Sequence, residues 1–327
     1  MKRTYSLSEI ATATALSLGL AFACHGASAQ DLPRTVTVTQ QGNGNTSYAD
    51  QSELQFATDA RITITQIGDH NHVGGPGGTT GGVIQLNNRP ARLYAVVEQT
   101  GVGNDASILQ TENGGVNGEV STRISQAGEA NTAYVMQRAS FGVQATVDQA
   151  GNGNSASIEQ LGGTFSAHAT QTGNDNRVTI DVRANGPSGV PVVTQTGDGN
   201  SATIVGNGAG AGLDSNPEIV QTGTQNTVTS LQTDIINGNA RFEQYGVGNV
   251  AETDQSGDYH ELDIDQNGNG NLARVSQTSP AGLLTGNFAT IAQTGINNTA
   301  IVRQVGADYV ANVSQVGSGN YTSIYQH

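Results

Sequence analysis

A twelvefold internal repeat is the feature of this 327-residue sequence that most restricts how it can fold. Each copy reads Gln-x-Gly-x-x-Asn, and in nine copies a second Gln follows eleven residues after the first. Successive copies begin 22 to 33 residues apart, a period typical of architectures in which copies stack on their neighbours. The first Gln of each copy is at Gln40, Gln66, Gln99, Gln126, Gln149, Gln171, Gln195, Gln221, Gln244, Gln266, Gln293 and Gln315.

The Gly and Asn positions of the repeat are filled without exception. The turn glycines are Gly42, Gly68, Gly101, Gly128, Gly151, Gly173, Gly197, Gly223, Gly246, Gly268, Gly295 and Gly317. The asparagines are Asn45, Asn71, Asn104, Asn131, Asn154, Asn176, Asn200, Asn226, Asn249, Asn271, Asn298 and Asn320. The second Gln is replaced by Gly77, Val182 and Gly206 in three copies. Residues 74–81 read as an insertion, so Gln85 is the candidate replacement for Gly77.

Apolar and polar residues alternate around these positions. The residue two before each first Gln is apolar in all twelve copies, from Val38 to Val313. After the Asn, alternate positions carry sets such as Ala106, Ile108 and Gln110. A period of two indicates strands with one buried face, and pairs such as Asn-Gly between the Gly and the Asn favour a tight turn with positive φ. Each copy therefore predicts strand, turn, strand.

The repeated Gln and Asn share the parity of the apolar residues, so we expect them to be buried. A buried amide is costly unless it is hydrogen-bonded, and a stack of identical copies satisfies it by pairing each amide with those above and below. The predicted fold is therefore all-β, a cross-β solenoid of about twelve rungs with two arms each. The segment that returns to the next copy varies in length and contains Gly- and Pro-rich insertions. It also contains faded copies, Gln255-x-Gly257-x-x-His260 and Gln304-x-Gly306.

Composition and charge exclude several classes of function. The formal net charge is −14 and the chain has a single Lys, Lys2, which argues against nucleic acid as a partner. Cys24 is the only cysteine, so an intrachain disulfide is impossible. We expect no cofactor, no metal site and no catalytic residues.

Residues 1–29 read as a secretory signal peptide. Lys2 and Arg3 form its positive start, residues 11–23 are a mostly apolar, helix-compatible run, and cleavage is expected after Ala29. Lipidation at Cys24 is the alternative reading. Residues 30–35 are then a short N-terminal segment and residues 36–327 form the solenoid. No later segment has the length of apolar chain that a membrane span needs, so no stable membrane insertion is predicted.

The pattern Gln-x-Gly-x-x-Asn-x-Ala-x-x-x-Gln at residues 99–110, 126–137, 149–160 and 293–304 resembles the curlin repeat of curli-type bacterial amyloid. The resemblance implies a secreted structural subunit that polymerises with itself into extracellular fibres for biofilm matrix, cell adhesion and surface colonisation. It also implies a minor nucleator curlin, an outer-membrane curli export pore and periplasmic chaperones as partners. The near-ideal copy that ends at Gln326 resembles a major subunit. Two departures from the family are the expansion from about five repeats to twelve and the short segment 30–35, which weakens the inference of export by that pore.

The ends of the repeat array favour polymerisation in their own right. The first copy begins soon after the expected cleavage site, and no cap is visible at either end, so matching ends predict a head-to-tail filament. A monomeric secreted solenoid used as an adhesin or binding module is the alternative, and an enzyme on a β-helix scaffold is a third reading.

Several histidine and acidic residues allow both a chemical and a purely structural interpretation. His70 and His72 lack a third ligand and read as surface turn residues rather than a metal site, and calcium-binding nonapeptides are absent. Asp148, Glu243 and Asp265 lie on the outward parity and read as a solvated face rather than a glycosidase pair. The acidic residues in or beside turns are expected to slow fibre growth through repulsion between rungs; they are Asp69, Asp105, Asp198 and Asp258.

Overall fold

The strands of this chain are seen in a computed structural model. It describes residues 16–20, 34–51, 54, 59–74, 81–87, 91–112, 118–139, 142–163, 166–184, 189–208, 216–234, 237–280 and 285–327. In these ranges the regular structure is β-strand, without helix, and so no helix there could cross a membrane. The chain divides into two units, Met1–Thr164 and Phe165–His327, and each is a β-solenoid of stacked parallel strands. The predicted all-β solenoid is confirmed.

We call the strand that leads to a first Gln the first arm, the strand after the Asn the second arm, and the two together a rung. In the first unit the first arms are β2 (Arg34–Gln41), β5 (Asp59–Asp69), β8 (Ala91–Val102), β10 (Gly118–Glu129) and β12 (Val143–Ala150). The second arms of the first two rungs are each split in two, giving β3 (Thr46–Ser47), β4 (Ala49–Asp50), β6 (His72–Val73) and β7 (Val83–Asn87). The others are β9 (Asp105–Glu112), β11 (Thr132–Ala139) and β13 (Ser155–Leu161).

The second unit has seven first arms and seven second arms among its described residues. Its first arms are β14 (Ser166–Thr172), β16 (Val192–Asp198), β18 (Glu218–Thr224), β20 (Asn239–Val247), β22 (Glu261–Asn269), β24 (Phe288–Ile296) and β26 (Val310–Ser318). Its second arms are β15 (Arg177–Ala184), β17 (Ser201–Gly208), β19 (Thr227–Thr233), β21 (Val250–Ser256), β23 (Leu272–Thr278), β25 (Thr299–Val305) and β27 (Tyr321–Gln326).

Equivalent residues of successive copies lie side by side. First arms pair with first arms in parallel, so that Gln66 pairs with Gln99 and Gln99 with Gln126. Second arms do the same, as when Gln255 pairs with Gln277. The buried alternating face fixes this register, because a slip of one residue would turn the apolar set outward.

The insertion at residues 74–81 is confirmed by strand register. Val73 pairs with Ala106, whereas Val83 pairs with Ile108, so the whole intervening stretch replaces the single position opposite Ser107. Gln85 consequently pairs with Gln110 and takes the place of Gly77, as predicted. Residues 75–80 themselves lie outside the described residues.

One pair at the N-terminal end breaks the parallel rule. Strand β1 (Leu16–Leu20) lies antiparallel to β2, with Leu18 opposite Val38. Part of the apolar run that looked helix-compatible is therefore strand here. The rest of the predicted signal peptide, residues 1–15 and 21–29, and most of the short segment 30–35 lie outside the described residues.

The core is narrow and lies between the two arms of each rung. Ala60, Ile62 and Ile64 on a first arm and Ala106 and Ile108 on a second arm are almost fully buried, as the alternation predicts. Short aliphatic side chains suit this space because facing arms must approach closely in every rung.

Phe242 is the exception in the second unit. It is fully buried on β20, and Thr253 occupies the equivalent position on the second arm of the same rung, where most rungs carry Ile or Val. The preceding rung carries Ser230 at this position, and both hydroxyls are buried without a hydrogen-bond partner among the described residues. Small side chains at these two positions leave room for the phenyl ring.

Candidate functional site: the amide ladders and the terminal rungs

The first-arm glutamines form a continuous hydrogen-bonded ladder within each unit. In every described step the Nε2 of one Gln donates to the Oε1 of the Gln in the next rung, at 2.6 to 3.0 Å. Each Nε2 donor therefore points toward the next rung in the C-terminal direction. The steps are Gln40–Gln66, Gln66–Gln99, Gln99–Gln126 and Gln126–Gln149 in the first unit, and Gln171–Gln195, Gln195–Gln221, Gln221–Gln244, Gln244–Gln266, Gln266–Gln293 and Gln293–Gln315 in the second.

The second-arm glutamines form a parallel ladder with the same direction. Gln85 belongs to it, accepting from Gln51 and donating to Gln110, each at 2.8 Å. In the second unit the ladder begins at Gln232, because Val182 and Gly206 precede it in this column. The steps are Gln51–Gln85, Gln85–Gln110, Gln110–Gln137, Gln137–Gln160, Gln232–Gln255, Gln255–Gln277, Gln277–Gln304 and Gln304–Gln326.

Most of the ladder glutamines also use Nε2 to tie one arm to the other. Gln99 Nε2 donates to the carbonyl of His72 on the second arm of the preceding rung, at 2.9 Å. Gln304 Nε2 donates to the carbonyl of Phe288 on its own first arm, at 3.0 Å. The amide therefore links rung to rung and arm to arm, and this leaves few N–H groups of the buried side chains unpaired.

The asparagines form a ladder that runs in the opposite direction. The backbone N–H and the Nδ2 of Asn104 both donate to Oδ1 of Asn71, at 3.1 and 2.9 Å. Asn104 Nδ2 also donates forward to the carbonyl of Gly128, at 2.9 Å. Ten of the twelve asparagines are buried, and the exceptions are Asn45 and Asn320 in the first and last rungs.

The turn glycines are required by packing as well as by dihedral angle. Gly101 has φ +119°, and a Cβ there would collide with the carbonyl of Gly128 in the next rung. The same collision recurs at ten of the twelve turn glycines, and at these positions Gly permits the close approach of the next rung. Two residues further on, every copy has φ between 54° and 69°, whether the residue is Gly103, Ala130 or Gln225.

Three of the acidic and histidine candidates, His72, Asp148 and Glu243, have structural partners. His72 Nδ1 contacts Thr46 Oγ1 at 2.6 Å, and no group of three metal-binding side chains occurs among the described residues. Asp148 is paired with Arg123 at 2.9 Å and Glu243 with Arg241, so these carboxylates stabilise arginines on the outer face.

The four turn aspartates fall into different environments. Asp198 Oδ1 accepts from the backbone N–H and the Nδ2 of Asn174, and Asp69 does the same for Asn43. Burial raises the pKa of Asp105, against a smaller opposing effect of His72. Asp258 is buried in a corner between two arms.

The last rung presents an open edge. Val310, Val316, Tyr321 and Tyr325 on β26 and β27 are more than half exposed. In the described part of the chain, no donor reaches Asn320 Oδ1 at this end and no side-chain amide donates to Gln40 Oε1 at the other. In the interior rungs, the same two oxygen atoms accept a hydrogen bond from the side-chain amide of the adjacent rung.

No protein-family model matches the chain, and no curated protein matches it.

Proposed function

We propose that the protein is a secreted structural subunit that self-assembles head-to-tail into curli-like extracellular amyloid fibres, which serve biofilm matrix, cell adhesion and surface colonisation. The single observation that carries the proposal is the set of unidirectional amide ladders that reach both terminal rungs. The resemblance of the sequence to curlin repeats supports the same reading.

The ladders specify how two copies would join. Gln315 Nε2 would donate to Gln40 Oε1 of a second copy, continuing the glutamine ladder. The amide of Asn45 in that copy would donate to Asn320 Oδ1, continuing the asparagine ladder. Head-to-head contact would instead set acceptor against acceptor, and such a mismatch is costly once water is excluded. A head-to-tail contact does not close on itself, so it propagates as a filament.

Strand β1 occupies the outer edge of β2, where the preceding copy would bind. Head-to-tail stacking therefore requires residues 16–20 to leave that edge. Cleavage after Ala29, as the signal-peptide reading expects, would remove them. A nucleator curlin, periplasmic chaperones and the curli export pore follow from the sequence resemblance alone.

The test blocks the growing edge with one substitution. In β25 and β27, Thr299 N donates to the Asn320 carbonyl, so alternation in the ladder turns the N–H of Ser323 to the open side. Ser323→Pro removes that donor, and proline is tolerated on edge strands. Residues 30–327 should form thioflavin-positive fibres, visible by electron microscopy, whereas Ser323→Pro should elongate about tenfold more slowly or worse, the loss expected for roughly 1.4 kcal/mol per added subunit.

Ser323→Thr, which keeps the N–H, is the matched control and should elongate like the parent. Equal elongation of the proline variant would reject the proposed growth edge. A parent that stays monomeric for days would reject fibre formation and favour the monomeric adhesin.

A further inference from the structure

In the last rungs, the connection from a second arm to the next first arm, which we call the return side, also contains a tight turn. Between β21 and β22, Gly257 has φ +103° and Tyr259 has φ +60°; after β25, Gly306 has φ +125° and Asp308 has φ +65°. These values repeat those of the Gly-to-Asn turn described above. His260 and Tyr309 therefore stand where that turn has its Asn. The intervening rung has Asn287 at this position.

The imidazole of His260 reproduces two of the bonds of a ladder asparagine, and its Nε2 also lies 3.3 Å from Ser279 Oγ. Its Nδ1 accepts the backbone N–H of Asn287 at 3.1 Å, as an Asn Oδ1 accepts the N–H of the next Asn. Its Nε2 lies 2.9 Å from the Ser256 carbonyl four residues earlier, as Asn249 Nδ2 lies 3.1 Å from the Tyr245 carbonyl. Asn287 then carries the ladder on, donating to Gly306 and accepting from the N–H of Tyr309.

These partners specify one protonation state. A carbonyl can only accept, so Nε2 carries the proton, and Nδ1 must be bare to accept from Asn287. His260 is fully buried, and a second proton on Nδ1 would face the N–H of Asn287 with no acceptor. An asparagine at this position has no such titration in the physiological range.

We propose that the His260 corner is an acid-sensitive latch: the neutral imidazole closes the return side of the last three rungs, and protonation of Nδ1 releases it.

Burial lowers the pKa of His260, against smaller opposing effects of its bond to Ser256 and of Asp258. A lowered value in the folded state means that the unfolded chain binds the proton more readily. The stabilising contribution of the corner is therefore complete above the unfolded pKa of about 6.5 and is lost as the pH falls from there through the lowered folded value. The nearby carboxylates are Asp258 and Glu261 on the corner itself, Asp234 on the preceding corner and Asp308 on the following one.

The test compares local hydrogen exchange in residues 30–327 between pH 7.5 and pH 4.5, corrected for intrinsic exchange rates. Protection of residues 256–261, 286–288 and 306–309 should fall by up to about tenfold per pH unit, the limit for one proton, while β12 and β13 of the first unit serve as an internal reference. His260→Asn should keep protection constant across this range. His70→Asn, in an exposed turn, should leave the response of the parent intact.

Nitrogen-15 spectra of histidine-labelled protein provide a readout that needs no variant. His260 should show an Nε2–H tautomer at pH 7.5 and should titrate below 6.5 together with the loss of protection. An Nδ1–H tautomer, a parent without a pH response, or an undiminished response in His260→Asn would each overturn the latch. If His260→Asn fails to fold, the tautomer and its titration alone decide the matter.

Discussion

The residue four positions after each first Gln occupies the left-handed region in every copy, whatever its type. Gly44, Gly103 and Gly153 adopt this conformation, and so do Ala130 and Gln225. For an L-residue this conformation costs on the order of 1 kcal/mol. The stacked neighbours therefore impose the turn on side chains that do not favour it.

Replacing Ala130 with Gly should stabilise the protein by about 1 kcal/mol, because the strain at φ +55° is relieved by more than the entropy cost of the added Gly. Gly103→Ala is the converse change, and it should destabilise by a similar amount. No atom lies within 4 Å of the new Cβ at this position, so the backbone alone is responsible. Urea unfolding of both variants measures the effect, and equal midpoints would show that the turn carries no strain.

The acidic turn residues do not act alike. Because burial raises the pKa of Asp105 above its unfolded value, its carboxylate destabilises the fold above that value, and Asp105→Asn should raise the unfolding free energy at pH 7. The gain should vanish as the pH falls below about 3.8, where both states bind the proton.

Asp198→Asn is the matched control for this change. An Asn Oδ1 can still accept from Asn174, so its stability at pH 7 should stay within about 0.5 kcal/mol of the parent. The repulsion hypothesis, in contrast, predicts that both variants shorten the lag of fibre growth. Lag times and unfolding midpoints measured together separate burial from repulsion.

At the scale of the strand, the sequence predicted the Gly-to-Asn turn and its two arms better than the return connection between rungs. The two arms around each Gly-to-Asn turn were predictable because alternation, turn residues and the repeated amides all agree. The insertion in the second copy was predicted from a single displaced residue, Gln85, whereas the break between β3 and β4 in the first rung was not predicted. The stacking of the amides in columns was predicted, but the direction of each ladder was not. Every amide has both a donor and an acceptor atom, so residue type does not tell which of the two faces the next rung.

The return corners carried a weaker signal. His260 was visible as a member of a faded copy, but nothing in its type indicated that imidazole would take over two of the bonds that a carboxamide makes in the other turns. Asn287 was missed because no Gln stands five residues before it and no Gly stands three residues before it. The turn glycine is replaced here by Ser279, two residues after Gln277. Phe242 and its small neighbours Ser230 and Thr253 depend on packing across the turn, which a one-dimensional pattern does not report.

At the scale of the whole molecule, rungs within a unit are interchangeable. Deleting residues 126–148 places Gln149 where Gln126 stood, and β13 would then pair with β9 in the register that β11 now has, Ala156 opposite Ala106 and Gln160 opposite Gln110. We expect this shortened chain to fold, with the stability of about one repeat removed.

Deletion of residues 126–149 is the control, because it removes one residue more and leaves Ala150 in the glutamine column. It should lose substantially more stability than the shorter deletion, since the ladder is interrupted and the turn must absorb the missing residue. Circular dichroism and urea unfolding compare the two. Equal losses would contradict interchangeable rungs.

The ladders give the protein a length that can vary in whole steps. A duplication or loss of one whole repeat in the gene keeps the first-arm glutamines and the turn asparagines in their columns, so we expect its product to fold. A change of any other size interrupts a hydrogen-bonded column. Unequal recombination between repeats would therefore yield foldable subunits of different rung number, and twelve copies are one such number.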